Sequence, residues 1–284
     1  MTTRLEKNKK IQDKIIKEEN KKKFIKASKL LGIILSIILI ILCLGMFFGA
    51  KIVLVKEYRI ESNNIPKSFH GIKIVQISDL LYNSFNKKDL EKLESQINET
   101  EPDILIFTGD IKRKNVKLTK KDIEILEKFF KNLNSSIKKY AVSGDLDDDS
   151  FNLIMENSNF ILLNNEIDSI FYKDSTPIDI IGLNTNNLDF ENAKSENFSI
   201  CLFHNPDEID TILEQVNCKI AFSGDTRGGE IKIFGEPLLD NHKYKNDYYK
   251  INDTKFYISN GIGNESNIRF FNHPSISLYR LVTY

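Results

Sequence analysis

Residues 72–79 read IKIVQISD and residues 104–110 read ILIFTGD, and these two stretches decide the fold. Each begins with an apolar, β-branched run typical of a buried strand and ends in an aspartate. Between them, residues 89–98 carry leucine and isoleucine at helical spacing. The order of strand, helix and strand predicts a βαβ-like unit of an α/β fold.

The same alternation continues along the chain. A second helix is predicted over residues 120–133, with its apolar side chains on one side. Further strands are predicted at residues 139–142, 160–163, 178–181, 199–203, 219–222, 230–234, 255–259 and 275–281. No internal repeat or long linker interrupts them, so one domain is predicted.

An acid or a histidine follows five of these predicted strands. They are Asp79, Asp110, Asp145, His204 and Asp225. In α/β sheets, ligands bind at the carboxyl ends of the strands, where loops bring polar groups together. Aspartate or glycine after a strand is also ordinary turn chemistry, which explains any one of these positions. Five positions in register favour a site.

The N-terminal region predicts a membrane anchor. Residues 30–50 contain no charge and are long enough to cross ~30 Å of hydrocarbon at ~1.5 Å per residue. A signal peptide is the alternative, but its apolar part is only ~7–15 residues long. Residues 1–29 hold eleven Lys and Arg against four acids, which predicts a basic cytoplasmic tail. Residues 51–284 are then the extracytoplasmic domain.

Charge and composition exclude some functions. The whole chain is neutral and residues 1–29 carry +7, so the remainder carries −7, which is unfavourable for binding nucleic acid. The basic tail either sets topology or also binds anionic lipid. A hydrophobic content of 41% excludes disorder throughout. Cys201 and Cys218 are either buried thiols or, outside the cell, one disulfide.

Five short motifs follow one another in a known order. They are Ser78-Asp79-Leu80-Leu81, Thr108-Gly109-Asp110, Gly144-Asp145-Leu146-Asp147, His204-Asn205-Pro206-Asp207 and Ser223-Gly224-Asp225-Thr226-Arg227-Gly228-Gly229-Glu230. From about residue 60 to the end, the chain resembles the calcineurin-like metallophosphoesterases, within their membrane-anchored bacterial branch. The resemblance implies an α/β fold, a four-layer αββα sandwich preceded by one transmembrane helix.

The resemblance also implies two neighbouring divalent cations that activate a phosphoester. The positions of the first cation's ligands are occupied here by Asp79, Leu81, Asp110 and Arg227. Leucine has no ligand atom, and arginine carries a permanent positive charge, so this half-site is predicted to hold no cation. We expect the Arg227 guanidinium to take its place as a clamp for Asp79 and Asp110, or for a phosphate.

The second cation's ligand positions are filled by Asp110, Asp145, His204 and Asp225. Three carboxylates and an imidazole suit one Mn²⁺ or Mg²⁺, with Zn²⁺ also allowed. The expectation is therefore one divalent metal at most, or none. Leu146 stands where the family has a histidine thought to assist the leaving group, and leucine has no proton to donate.

These replacements leave three interpretations. The leading one is a weakly active or inactive pseudo-phosphoesterase that binds a phosphoester or another envelope ligand. The alternative is a single-metal hydrolase of an envelope phosphodiester or lipid pyrophosphate, and the third is a structural spacer. Two further features are interpreted as having no role in the site. The histidines His70, His242 and His273 are taken as surface or turn residues, and residues 147–149 as a solvated acidic turn rather than a Ca²⁺ loop.

Overall fold

The chain forms two compact units, Met1–Phe47 and Phe48–Tyr284, in this computed structural model. The structure describes residues 4–82, 85, 87–174, 176–184, 186–238, 241–265 and 268–284. Helix α1 (Arg4–Gly49) is continuous and contains most of the predicted membrane segment. Its part Ile11–Cys43 is long and apolar enough to cross a membrane, by length and composition. The side of the membrane on which each unit lies stays a prediction.

The second unit is an α/β domain, whose elements follow in chain order. Its strands are β1 (Leu54–Glu61), β2 (Lys73–Ile77), β3 (Ile104–Phe107), β4 (Lys138–Ala141), β5 (Ile161–Leu162), β6 (Glu166–Ile170), β7 (Ile178–Gly182), β8 (Phe198–Leu202), β9 (Ile220–Ser223), β10 (Lys232–Ile233), β11 (Glu236–Pro237), β12 (Tyr248–Ile251), β13 (Thr254–Ile258) and β14 (Ser275–Val282). Its helices are α2 (Lys87–Glu99), α3 (Lys120–Asn132), α4 (Asp149–Asn157) and α5 (Ile209–Gln215).

One six-stranded sheet has the order β1-β14-β2-β3-β4-β5. Strands β2 to β5 are parallel, so the loops after β2, β3 and β4 meet at one edge. Strand β14 runs antiparallel to β2, and β1 runs parallel to β14. The first strand therefore begins at the edge where β2 to β4 end.

The other six-stranded sheet has the order β12-β13-β9-β8-β7-β6. Strands β7, β8, β9 and β13 are parallel, while β6 and β12 run antiparallel to their neighbours. Leu202 pairs with Phe222, so the loops after β8 and β9 leave the sheet side by side. Those loops carry His204 and Asp225.

Three apolar clusters separate four layers. The central cluster joins the two sheets, with Ile74 and Ile106 from one packed with Ile180 and Ile200 from the other. The outer clusters pack helices α2 to α4 on the first sheet and α5 on the second. The predicted four-layer αββα sandwich is confirmed.

The structure decides whether Cys201 and Cys218 are free thiols or a disulfide, which the sequence left open. Cys201 at the end of β8 and Cys218 before β9 form a disulfide, with their Cα atoms 5.8 Å apart. The bond joins two adjacent parallel strands below the loops that carry His204 and Asp225.

Candidate metal and phosphate site

Loops from both sheets converge at one edge of the sandwich. The backbone N–H of Asp79 donates to the carbonyl of Gly109 at 2.9 Å, and that of Gly224 donates to the carbonyl of His204 at 2.9 Å. Several residues here hold a positive φ although they are not glycine, among them Asp79 at 50°, Asp110 at 62°, Asp225 at 67° and Arg227 at 50°. Strained backbone of this kind occurs mostly at functional sites, where the surrounding contacts hold it in place.

Glycines before two of the aspartates are required by close packing. A Cβ on Gly144 would lie 2.3 Å from Oδ1 of Asp110. Gly109 has φ +86°, and a Cβ there would lie 2.5 Å from the Gly144 nitrogen. The Gly-Asp pairs therefore allow neighbouring loops to touch, which brings the carboxylate of Asp110 under the turn after β4.

Three buried side chains share a centre at this edge. Asp79, Asp110 and His204 each offer one ligand atom, and these atoms lie within 4.8 Å of one another. All three residues are buried. Ligand atoms on opposite sides of one cation are separated by about 4–5 Å, twice the usual metal–ligand distance. The spacing therefore suits a single ion.

His204 is oriented by a backbone carbonyl. Its Nδ1 lies 2.6 Å from the oxygen of Thr108. Because a carbonyl only accepts, Nδ1 carries the proton and Nε2 points into the cluster, as in metal-binding histidines held by an outer partner. Nε2 lies 3.3 Å from Oδ2 of Asp110 and 3.9 Å from Oδ1 of Asp225.

The protonation of the cluster reflects its burial and its charge. Burial raises the pKa of Asp79 to about 6, and Asp110 adds to the rise while His204 and Arg227 oppose it. Burial alone would lower the pKa of His204, but the carboxylates of Asp110, Asp79 and Asp225 outweigh it and raise the pKa well above its usual value. Without a cation, protons balance part of this negative charge.

Two atoms of the cluster indicate that a cation fits. Among the described residues, Oδ1 of Asp79 and Nε2 of His204 are buried without a hydrogen-bond partner. An unsatisfied buried polar atom costs about 1–3 kcal/mol, which a bound ion would offset. The residues therefore fit one divalent cation. Of the five predicted residues, Asp79, Asp110 and His204 lie in the cluster, Asp225 is beside it with Oδ1 3.9 Å from Nε2 of His204, and Asp145 is exposed.

Asp225 has a partner that the sequence interpretation missed. Its Oδ2 lies 3.0 Å from Nε2 of His242, which comes from the segment between β11 and β12. Burial alone would raise the pKa of Asp225, but the bond from His242 and the charge of His204 hold it below its usual value. His242 is thus part of the site, and the prediction of an ordinary surface histidine was wrong for this residue.

Arg227 lies on the other side of the pocket. Its Nη1 is 3.8 Å from Oδ1 of Asp79, and its Nε is 3.3 Å from Oε1 of Glu230. Within the described part of the chain, no ion pair joins Arg227 to Asp110. Arg227 therefore pairs with only one of the two acids that we expected it to bind. The short separation between Arg227 and Glu230 along the chain explains the difference, because the nearby carboxylate competes for the guanidinium.

A second arginine fixes the loop that carries the first. The buried Arg269 donates from Nη1 to the backbone oxygen of Arg227 at 3.1 Å and to that of Asn260 at 2.8 Å. Asn272 donates to the same Arg227 oxygen at 2.9 Å. Arg269 lies outside the five motifs quoted above, so those motifs did not indicate this role.

Two leucines in the pocket offer no side-chain ligand or proton donor, and one aspartate supports the backbone of the loops. Leu81 is buried and presents no ligand atom, so the Leu81 and Arg227 side does not fit a second cation. Leu146 offers only its backbone N–H, which donates to Oδ1 of Asp110 at 2.9 Å. Asp147 accepts from the backbone nitrogens of Asp110, Ile111 and Gly144, so the prediction of a solvated acidic turn was wrong for this residue.

An αββα sandwich with acidic and imidazole groups at its strand ends defines the class of metallophosphoesterases. The calcineurin-like phosphoesterase family profile matches residues 72–258, and the chain belongs to that family.

Two named relatives are similar to this chain over most of its length. The chain is 30% identical to the uncharacterized metallophosphoesterase YkuE of Bacillus subtilis, over 79% of this chain and 84% of that protein. It is 27% identical to the UDP-2,3-diacylglucosamine pyrophosphatase LpxG of Chlamydia muridarum, over 76% of this chain and 86% of that protein. Among solved structures, the phosphopantetheinyl hydrolase PptH of Mycobacterium tuberculosis matches with a TM-score of 0.40 and 10% identity, over 71% of this chain and 96% of that one.

Proposed function

We propose that this protein is a membrane-anchored pseudo-phosphoesterase, whose pocket binds one divalent cation and a phosphoester ligand at the cell envelope and hydrolyses it weakly or not at all. One observation carries the proposal. The Arg227 guanidinium stands 3.8 Å from Asp79, on the side of the pocket where Leu81 has replaced a ligand. A fixed positive charge there excludes a second cation by repulsion.

The remaining groups support binding better than catalysis. A cation held by Asp79, Asp110 and His204 would supply charge stabilisation to phosphoryl oxygens. Arg227 adds a guanidinium with donors suited to phosphate, and it is partly exposed to solvent. Leu146 has no proton to give a leaving group, and loss of a general acid costs about 10²- to 10⁴-fold in rate.

The test is turnover of bis(p-nitrophenyl) phosphate by the full-length protein in detergent with Mn²⁺. The proposal predicts that Mn²⁺ is retained while turnover stays at, or only slightly above, the level of the Asp110→Ala variant. Turnover well above that variant would contradict the pseudoenzyme and support catalysis.

The alternative is a single-metal hydrolase of an envelope phosphodiester or lipid pyrophosphate. Similarity to a relative named as a UDP-2,3-diacylglucosamine pyrophosphatase favours it. The preserved cluster of Asp79, Asp110 and His204 also supports it. This function requires that turnover disappears in the Asp110→Ala variant, while the exposed Asp253→Ala variant keeps it.

The location belongs to the same proposal. The tail of residues 1–29 stays in the cytoplasm, residues 30–50 cross the membrane, and residues 51–284 lie outside. The disulfide between Cys201 and Cys218 supports an oxidising environment for the domain. Protease added to cells stripped of their wall should degrade the domain and leave the tail intact; protection of the domain would place it in the cytoplasm.

A further inference from the structure

The chain enters the domain at the edge that carries the site. Leu54, the first residue of β1, pairs with Ser275 at the start of β14. Strand β14 is antiparallel to β2, with Ser277 opposite Gln76, three residues before Asp79. The start of β1 and the loop of Asp79 therefore lie at the same end of the first sheet.

The residues just before β1 lie at that end too. The carbonyl of Gly49 is 3.0 Å from Nδ1 of His273, and the carbonyl of Pro274 accepts the N–H of Leu54. Gly49 is the last but one residue of the uncharged run 30–50. Consecutive Cα atoms are about 3.8 Å apart, so residue 47 stays within about 8 Å of Gly49 in any arrangement of the two units. A membrane crossed by residues 30–50 consequently lies close to this edge.

Large apolar side chains are exposed at the same edge. The hairpin of β10 and β11 carries Ile233 and a fully exposed Phe234 at its tip, and Leu238 follows it. Phe271 is 76% exposed. We refer to these four residues as the apolar rim. Neighbouring exposed apolar residues of this size mark protein or membrane contact sites.

Backbone bonds join the two parts of the apolar rim. The N–H of Lys232 donates to the carbonyl of Phe270 at 2.9 Å, and the N–H of Phe270 donates to the carbonyl of Glu230 at 3.1 Å. The hairpin is thus paired with the segment that precedes His273. Phe271 is only two residues from the histidine that contacts Gly49.

An ion-pair network fixes the hairpin beside the first strand. Lys232 of β10 and Lys56 of β1 both bind the carboxylate of Asp247, at 3.3 and 2.5 Å. The hairpin also follows directly after the loop of Arg227 and Glu230. Its position relative to both the start of the domain and the site is therefore set by described contacts.

We propose that the apolar rim lies in the surface of the bilayer that residues 30–50 cross, so that the pocket faces the membrane and takes its phosphoester from a lipid. Phenylalanine, isoleucine and leucine suit the boundary between headgroups and acyl chains. The proposal rests on the membrane span and the phosphoester pocket put forward above, and its test depends on neither metal binding nor catalysis.

The sequence offers a direct test, because it contains no tryptophan. Full-length Phe234→Trp and Phe271→Trp variants each carry a single tryptophan, and liposomes add no other. Brominated lipids quench a tryptophan only on close contact. Both variants are expected to lose most of their tryptophan fluorescence in brominated liposomes and to emit at shorter wavelength than a tryptophan in water.

Two further variants complete the test. Phe171→Trp is the matched control, since Phe171 is 64% exposed and follows β6 at the opposite end of the second sheet, and it should not be quenched. Leu39→Trp reports the span itself and should be quenched. Quenching of Leu39→Trp without quenching at positions 234 and 271 would overturn this proposal alone, even if those positions emit at short wavelength through contact with protein. Absence of quenching at Leu39→Trp would overturn the span and this proposal together.

Discussion

The two sides of the pocket balance the negative charge of its carboxylates in different ways. On one side, His204 and Asp110 present ligand atoms that suit an exchangeable cation. On the other side, Leu81 offers nothing and Arg227 supplies a covalently fixed positive charge 3.8 Å from Asp79. The comparison indicates that buried carboxylates in one pocket can be balanced either by groups that suit a cation or by a fixed positive charge nearby.

The largest effect is expected at the acid common to both sides. Asp110→Ala removes a ligand and also the partner of the Leu146 N–H. We expect Mn²⁺ affinity to fall by more than the ~10- to 100-fold lost when an outer partner of a ligand is removed. Titration calorimetry of the full-length protein measures this. Asp253→Ala, an exposed acid in a turn, is the control and should bind as the wild type does; equal affinity in both variants would show that the cation lies elsewhere.

Removing the fixed charge tests the arginine side. In metal-free protein the pKa of Asp79 is about 6 instead of 3.8, since burial disfavours its charge. The folded state then binds more protons than the unfolded state between those values, so stability falls as pH rises through this interval. Arg227→Met removes a charge that lowers this pKa, so the loss of stability with rising pH should extend above pH 6. The total loss in the free energy of unfolding should exceed that of the wild type by about 1–2 kcal/mol, a figure that allows for the partial exposure of the pair.

Urea denaturation with a chelator at pH 4 and pH 8 measures the effect. At pH 4, Asp79 is largely protonated in the fold, so Arg227→Met and the wild type should differ little there. Arg59→Met, which breaks an exposed pair with Glu61, is the control and should show no added pH dependence. An equal loss at both pH values would mean that Arg227 acts through packing alone.

A smaller effect is expected from the histidine that supports the cation side. His242→Gln weakens the contact that holds the charge of Asp225, so we expect Mn²⁺ affinity to fall by roughly 10-fold. His70→Gln, at an exposed histidine, should leave affinity unchanged. Binding by His242→Gln equal to that of the wild type would show that Asp225 does not depend on this imidazole.

The local sequence predicted the carboxyl ends of the central strands better than it predicted the outermost strands of each sheet. Asp79, Asp110, His204 and Asp225 follow buried strands directly, so strand order alone places them together. Strands β1 and β12 lie at the edges of their sheets, where exposed positions carry charged residues and the apolar signal is weak. Helix α5 has seven residues, too few for a clear helical period.

The sequence could not predict which residues far apart in the chain contact one another in the site. His242, which contacts Asp225, lies 17 positions after it in the chain, and Arg269, which contacts the Arg227 carbonyl, lies 42 positions after Arg227. No local pattern encodes such contacts, because they depend on how separate loops pack. The motif order predicted that Arg227 would face Asp79, but the contact of its Nε with Glu230 became apparent only in the structure.

The number of Mn²⁺ ions per chain tests the central claim most directly. Native mass spectrometry of the full-length protein, equilibrated with excess Mn²⁺, counts bound ions without depending on activity. One ion per wild-type chain, lost in Asp110→Ala, is the predicted result. Two ions bound to the wild-type chain would contradict the account, since the Leu81 and Arg227 side would then hold a cation after all.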